Sequence, residues 1–202
     1  MRKALVKWRA SQFNLYPKLR DQITSVDPLK PEEEELLLPS SFSQPMRSAL
    51  GLDDLAKTEF ALREGQAHDA LESVRLSIKT FNHNLQYKAK NIHGQGPNTR
   101  AQAFLSTLSA DKISAADNYR RARSALLALD LPEDDPTLRP LFDNQLWMTN
   151  ISQPMQLGDS KKEDPWFWSV GRPRGLSEAE EKDWSIERML MSIFSHLFIN
   201  QN

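Results

Sequence analysis

Two long stretches of the chain repeat their apolar positions with the period of an α-helix. The first runs from about residue 67 to 90, and its apolar residues recur at i, i+3, i+4 and i+7. The second runs from about 98 to 129, and Asn98 or Thr99 is placed to cap its start. Glycines and a proline at 94–97 interrupt the pattern between them. A loop this short predicts two long helices that pack antiparallel.

Other apolar stripes precede this pair. One begins at Met46 and ends at Gly65, which is predicted to cap a helix at its C-terminus. The N-terminal stripe runs to Leu19, and Pro17 is expected to kink or split that helix. Between the two stripes lie four prolines and a run of four glutamates, which predict a linker. Three leucines at 36–38 are expected to pin this linker to the core.

These elements predict an all-α chain, in which long antiparallel helical hairpins form a three- to four-helix bundle followed by an irregular aromatic segment. The predicted segments are a basic N-terminal helix (1–26), a linker rich in proline and glutamate (27–45), the helical bundle (46–130), an irregular segment rich in proline and tryptophan (131–176) and a C-terminal helix (177–202). Ser177 and Glu180 form the capping box that opens the last helix.

Composition narrows the class of protein. Apolar residues make up 39% of the chain and charged residues 26%, which is typical of a globular domain. The absence of cysteine excludes disulfides, thiolate zinc sites and thiol nucleophiles. The N-terminus lacks the apolar core of a signal peptide, and the apolar stretch at 189–199 is well short of the ~20 residues that a membrane span needs. The chain is therefore predicted to be intracellular and without a membrane anchor.

The sequence offers little that supports catalysis. The four histidines have no metal-ligand spacing, and the glycines near residue 95 do not follow a strand as in a dinucleotide-binding loop. We therefore predict a non-enzymatic protein that holds no metal, cofactor or small-molecule substrate.

Clustered cations are the main candidate chemistry, because lysines and arginines bind phosphates. The N-terminal segment also interleaves them with aromatic rings that could stack on bases. The candidate nucleic-acid-binding residues are Lys3, Lys7, Arg9, Arg75, Lys79, Lys88, Lys90, Arg100, Arg120, Arg121 and Arg123. The competing interpretation is a set of solvated helix faces with the aromatics as core anchors. Whether the cations of the two long helices merge or lie at opposite ends stays open at this point.

Two further motifs are each weighed against a simpler interpretation. Gly65 and Ala70 have the spacing found at the turn of a tetratricopeptide repeat, which suggests a peptide-binding hairpin. No second copy occurs at a 34-residue offset, although an array needs ~3 repeats, so an ordinary helical hairpin is the simpler interpretation. Gly171-Arg172-Pro173 resembles the core of an AT-hook without its basic flanks, and the simpler interpretation is a turn.

Several strings of residues resemble one family. They lie at 62–71, 79–82, 98–102, 117–123, 157–160 and 164–168. Over about residues 5 to 187 the chain resembles the helical C-terminal part of fungal Kyakuja–Dileera–Zisupton transposase-type proteins, those associated with a cysteine-cluster domain. The resemblance implies a cut-and-paste DNA transposase whose acidic catalytic triad would lie upstream in a ribonuclease-H-like domain. No catalytic residue is therefore transferred to this chain.

The resemblance implies a non-catalytic accessory region or remnant of a transposase, located in the nucleus, which supports DNA or subunit contacts. The alternative is a protein–protein adaptor built on the tetratricopeptide-like hairpin. A third interpretation is a decayed fragment. The apolar end at 189–199 departs from the charged helix expected of the family, which suggests a truncated or mis-spliced reading frame or, alternatively, a genuine docking helix. The candidate partners are thus DNA, another protein or a second copy of the chain.

Overall fold

A computed structural model of the chain describes residues 2–22, 35–148 and 164–170. Four α-helices account for most of these residues: α1 (Arg2–Leu15), α2 (Gln44–Leu50), α3 (Asp53–Asn91) and α4 (Gln95–Ala128). Short 3₁₀ turns occupy Pro17–Gln22, Pro39–Ser41, Asp143–Gln145 and Trp166–Trp168. No strand occurs among the described residues, so the prediction of an all-α fold is confirmed.

Helices α3 and α4 form one long antiparallel hairpin. Lys88 Nζ donates to Gln102 Oε1 at 2.6 Å, and Lys112 Nζ lies 4.9 Å from the ring centroid of Phe81. These pairs fix the antiparallel register, with Gly94 in the turn at a φ of +88°. The predicted cap at Asn98 or Thr99 is wrong, because α4 begins at Gln95 with Gly94 as its N-cap. Small buried residues line the contact and let the two backbones approach closely. They include Ala67, Ala70 and Val74 on α3 and Ala115, Ala116 and Ala122 on α4.

The predicted helix end at Gly65 is wrong, because α3 continues through this residue without a break. Gly65 is exposed, and the apolar stripe keeps its register on both sides of it. The packing of Ala67, Ala70 and Leu71 outweighs the ~1 kcal/mol that glycine costs in a helix interior. No tetratricopeptide-like turn therefore exists at Gly65, although Ala70 does lie buried at a helix–helix contact.

The continuous helix predicts that Gly65→Ala stabilises the protein. A Cβ at Gly65 would meet nothing within 4 Å, so the full helix-propensity gain of ~0.5–1 kcal/mol is expected in urea unfolding. Gly51→Ala is the matched control, because Gly51 ends α2 at a φ of +74° and should lose stability when replaced. A destabilising Gly65→Ala would contradict the continuous helix.

Gly51 and Pro17 are the residues that divide the first half of the chain. Gly51 separates α2 from α3 within what the apolar stripe predicted as one helix, and its N–H donates to the carbonyls of Arg47 and Ser48. Pro17 opens a 3₁₀ turn directly after α1, which confirms the predicted split. The turn buries Leu19 against Leu50 and Leu52.

Helix α1 packs through polar side chains, which the stripe of Leu5, Trp8, Leu15 and Leu19 did not predict. Its buried residues are Arg9 and Gln12, whereas Leu15 is 73% exposed. Gln12 Nε2 donates to the carbonyls of Leu36 and Leu37 at 3.0 Å, and Arg9 donates to the carbonyl of Glu35. The segment at 36–38 is therefore attached to α1 largely by hydrogen bonds to its backbone carbonyls.

The other side of that segment is held by α3. Glu59, which is buried, accepts from the backbone N–H of Ser40 at 2.9 Å and from its hydroxyl at 2.7 Å. Arg63 Nε lies 3.3 Å from the same carboxylate. Glu59 thus caps the turn Pro39–Ser41 and joins it to α3.

An irregular stretch after α4 covers one end of the hairpin. Leu138, Leu141 and Leu146 are buried there, as are Phe167 and Trp168. The buried Tyr119 donates its hydroxyl to the carbonyl of Arg139 at 2.6 Å, and burial raises the pKa of that hydroxyl above its usual value. The aromatic segment predicted after residue 130 is thus non-helical in its described part, apart from short 3₁₀ turns.

The proposed segment boundaries stay predictions. The boundary at 26/27, the C-terminal helix at 177–202, the apolar stretch at 189–199 and the Gly171-Arg172-Pro173 motif lie outside the described residues. None of the described helices is both long and apolar enough to cross a membrane.

Candidate nucleic-acid interface

Three of the predicted nucleic-acid-binding cations meet at the closed end of the hairpin. Lys88 and Lys90 lie in the last turn of α3, and Arg100 lies near the start of α4. The Lys88–Gln102 hydrogen bond places these turns side by side. Lys90 and Arg100 are exposed and Lys88 is half-buried. The antiparallel turn therefore merges the two cationic stripes at this end.

The hairpin separates charge along its length. We call residues 76–112 the distal arm; it contains five Lys or Arg and one acidic residue, Asp111. The other end is acidic, since residues 44–72 contain six acids against three Lys or Arg and residues 117–143 contain six against four. A net charge of −1 thus conceals a hairpin whose distal arm is basic and whose other end is acidic, although residues 2–22, with six Lys or Arg and one acid, offset that acidity where they attach. Local charge rather than the total governs phosphate binding.

The three arginines in the C-terminal half of α4, Arg120, Arg121 and Arg123, lie at the acidic end, about 27 Å or more along the axis from Gln102. Arg120 donates to the carbonyl of Leu141 and pairs with Asp143 and Asp117. The hydrogen bond to Asp143 raises the pKa of Arg120. Arg123 donates to the carbonyls of Leu138 and Glu133. These two side chains therefore hold the irregular segment, while Arg121 is exposed and bonds Asn118.

Arg75 and Lys79 lie where the irregular segment meets α3. Arg75 is only 8% exposed, and it donates to the carbonyl of Phe167 and pairs with Glu72. Lys79 Nζ lies 5.8 Å from the ring centroid of Trp168. The guanidinium of Arg75 is thus engaged within the fold, whereas Lys79 lies in the distal arm near its boundary with the irregular segment.

The candidate cations of the N-terminal helix also include both buried and exposed side chains. Arg9 is buried, and Phe13 and Tyr16 pack on the cluster around Leu19. Lys3 and Lys7 are exposed on α1, which is attached near α2 and so lies toward the acidic end of the hairpin. The structure therefore does not join these lysines to Lys88, Lys90 and Arg100.

The distal arm also exposes apolar and aromatic side chains. Leu85 is 46% exposed although it lies on the face that meets α4, because α3 and α4 are the only helices that pack here among the described residues. Tyr87 and Phe104 are 56% and 52% exposed. Tyr87 did not enter the sequence interpretation. Its position off the apolar stripe and next to Lys88 was the signal that could have identified it.

Other candidate chemistry is sparse over the described residues. No group of three or more histidine, aspartate or glutamate side chains could hold a metal ion there. A cavity of ≈ 340 Å³ lies between α2, α3 and the end of α4, and its lining includes Arg47, Lys57 and Asp130. Arg47 pairs with Asp130 and Lys57 pairs with Asp54, so the charged lining is engaged within the fold.

Comparison of the chain with models of protein families, with curated proteins and with solved structures finds no match.

Proposed function

We propose that this chain is a non-catalytic helical module that contacts DNA through the distal arm of its hairpin, as an accessory part of a transposase-like protein in the nucleus. The observation that supports the proposal is the convergence of Lys88, Lys90 and Arg100 at the end of the hairpin farthest from its acidic residues. The resemblance to the transposase family supplies the context, and the charge distribution supplies the site.

The physical basis is electrostatic. Cations that neutralise phosphates release the counterions condensed on DNA, which favours binding at low salt without reading the base sequence. Phosphate contacts position a protein on DNA, whereas base contacts read the sequence. A positioning contact therefore suits an accessory region better than a sequence-reading contact does.

The test is fluorescence anisotropy of a labelled duplex with the full chain, titrated at several salt concentrations. Replacing Lys88, Lys90 and Arg100 together with glutamine is expected to reduce the magnitude of the log–log salt slope by about 2.7, at roughly 0.9 for each lost contact. Affinity should fall correspondingly at low salt, because three phosphate contacts are removed.

The matched control replaces three cations of the acidic end, Lys57, Arg121 and Arg139, which are exposed and change the net charge equally. This variant should keep most of the salt slope. An equal loss in both variants would mean that net charge and not the distal arm controls binding. Absence of binding by the parent chain at low salt would refute the proposal.

A second candidate is protein docking on the same arm, which the exposure of Leu85 and Phe104 favours. Such docking would give the chain the adaptor role of the alternative interpretation, although no tetratricopeptide-like turn exists at Gly65. Sedimentation of the chain over a range of concentrations tests the self-associating form. Association that strengthens with added salt would favour an apolar contact, since screening removes the repulsion between basic arms.

A further inference from the structure

One face of α3 in the distal arm carries a line of cationic and aromatic side chains. Lys79, His83, Tyr87 and Lys90 are spaced by four, four and three residues, so they lie on one side of the helix. Lys79 is half-buried beside Trp168, and the other three are exposed. The line extends for about 16 Å along the axis.

This face lies on the side of α3 away from α4, and Lys79 at its start contacts Trp168 of the irregular segment. Phe81, Leu85 and Lys88 follow the opposite side of the helix, where α4 packs. Tyr87 is nevertheless 56% exposed in the middle of the line, one helical turn from both His83 and Lys90. An exposed tyrosine between cations presents a rigid aromatic surface that hydrophobic packing of this fold does not require.

Cations that follow a backbone, with aromatic rings between them, are the elements of single-strand binding sites. Bases in a duplex are stacked on one another, so their faces cannot be reached by a ring on the convex surface of a helix. Unpaired bases can turn outward and stack on such a ring, irrespective of sequence. The line on α3 therefore suits an unpaired strand better than a duplex.

We propose that the distal arm binds single-stranded nucleic acid in preference to duplex, with Tyr87 stacking on a base and Lys79 and Lys90 contacting the flanking phosphates. This inference rests on the proposed function and names the form of nucleic acid that the same arm prefers. It also adds Tyr87 and Lys79 to the three cations at the closed end of the hairpin.

The experiment compares a labelled oligothymidine with a duplex of the same length, at equal salt, using the full chain and its Tyr87→Ala variant. The parent chain is expected to bind the single strand about fivefold or more tightly than the duplex. Tyr87→Ala should weaken single-strand binding by about 5- to 150-fold, as expected for the loss of one stacked base. Duplex affinity should stay within about twofold.

Three further variants separate stacking from charge. Tyr87→Phe keeps the ring and should retain most of the single-strand affinity, whereas replacing Lys79 and Lys90 with glutamine should reduce the salt slope by about 1.4, at roughly 0.7 for each contact. Phe142→Ala is the matched control, because Phe142 is 59% exposed at the acidic end and should leave both affinities unchanged.

The outcomes distinguish this inference from the proposed function. Salt-dependent duplex binding combined with an unaffected Tyr87→Ala variant would overturn the single-strand preference and leave the duplex contact standing. An equal loss of both affinities in Tyr87→Ala would also overturn it, since stacking would then not be the cause. Absence of binding to either probe at low salt would refute both proposals.

Discussion

Phe167→Ala is expected to lower the free energy of unfolding by about 3–5 kcal/mol, the range for removal of a buried aromatic side chain. Phe167 is 0% exposed, and its ring lies between those of Trp166 and Trp168 at centroid distances of 6.0 and 5.3 Å. Its carbonyl accepts from Arg75, so the cavity would form where the irregular segment is attached to α3.

Urea unfolding followed by far-ultraviolet circular dichroism measures this loss. Phe142→Ala is the matched control, because that ring is 59% exposed and its removal should cost less than ~1 kcal/mol. Phe167→Leu keeps the measurement informative if the alanine variant does not fold, and it should be milder because most of the volume remains. Equal losses for Phe167→Ala and Phe142→Ala would mean that the aromatic segment does not pack on the hairpin as described.

Arg47→Met is expected to lower the free energy of unfolding by about 2–4 kcal/mol. The Arg47 side chain is only 4% exposed, and its guanidinium donates to the carbonyls of Phe42 and Ala128 at 2.9 and 2.6 Å. The second of these carbonyls lies at the C-terminus of α4, where a cation also interacts favourably with the helix dipole. Hydrogen bonds from a charged donor contribute more than neutral ones, so two lost together account for this magnitude.

A substitution at Asp130 separates the ion pair of Arg47 from its hydrogen bonds to backbone carbonyls. This residue follows α4 with a φ of +72°, and its carboxylate pairs with Arg47 although its side chain is 66% exposed. Asp130→Asn keeps a residue that tolerates this backbone conformation and removes only the exposed ion pair, so a loss below ~1 kcal/mol is expected. Arg121→Met, an exposed arginine on α4, is the second control. A loss for Arg47→Met no larger than for Arg121→Met would contradict the capping role.

Neither Arg47 nor Phe167 could be recognised from sequence as an anchor. Arg47 lies in a short helix that the apolar stripe assigned to a longer one, and two of its three acceptors, Ala128 and Asp130, are about 80 residues away along the chain. Phe167 lies in an aromatic segment without periodicity, so no pattern separates its buried ring from half-buried Trp166. Both positions depend on which distant segments meet, and local periodicity carries no information about that.

The candidate interface was predicted in part. Lys88, Lys90 and Arg100 were in the predicted set, because clustered cations are visible along the chain, whereas Tyr87 was not. Arg9, Arg75, Arg120 and Arg123 were in the same set, although the structure directs their guanidinium groups to backbone carbonyls. An arginine that binds a carbonyl and one that meets solvent look identical in sequence, since only the position of the acceptor differs.

The sequence by itself determined that two long helices meet at a turn near Gly94 and that a break occurs at Pro17, because helical period, glycine and proline act over a few residues. Only the tertiary structure decided that α3 continues through Gly65 and that α1 attaches through Arg9 and Gln12. It also decided that the cations at 88–100 gather opposite an acidic end. The physical reason is that burial and the pairing of charges depend on segments far apart in the chain, which the antiparallel hairpin brings together.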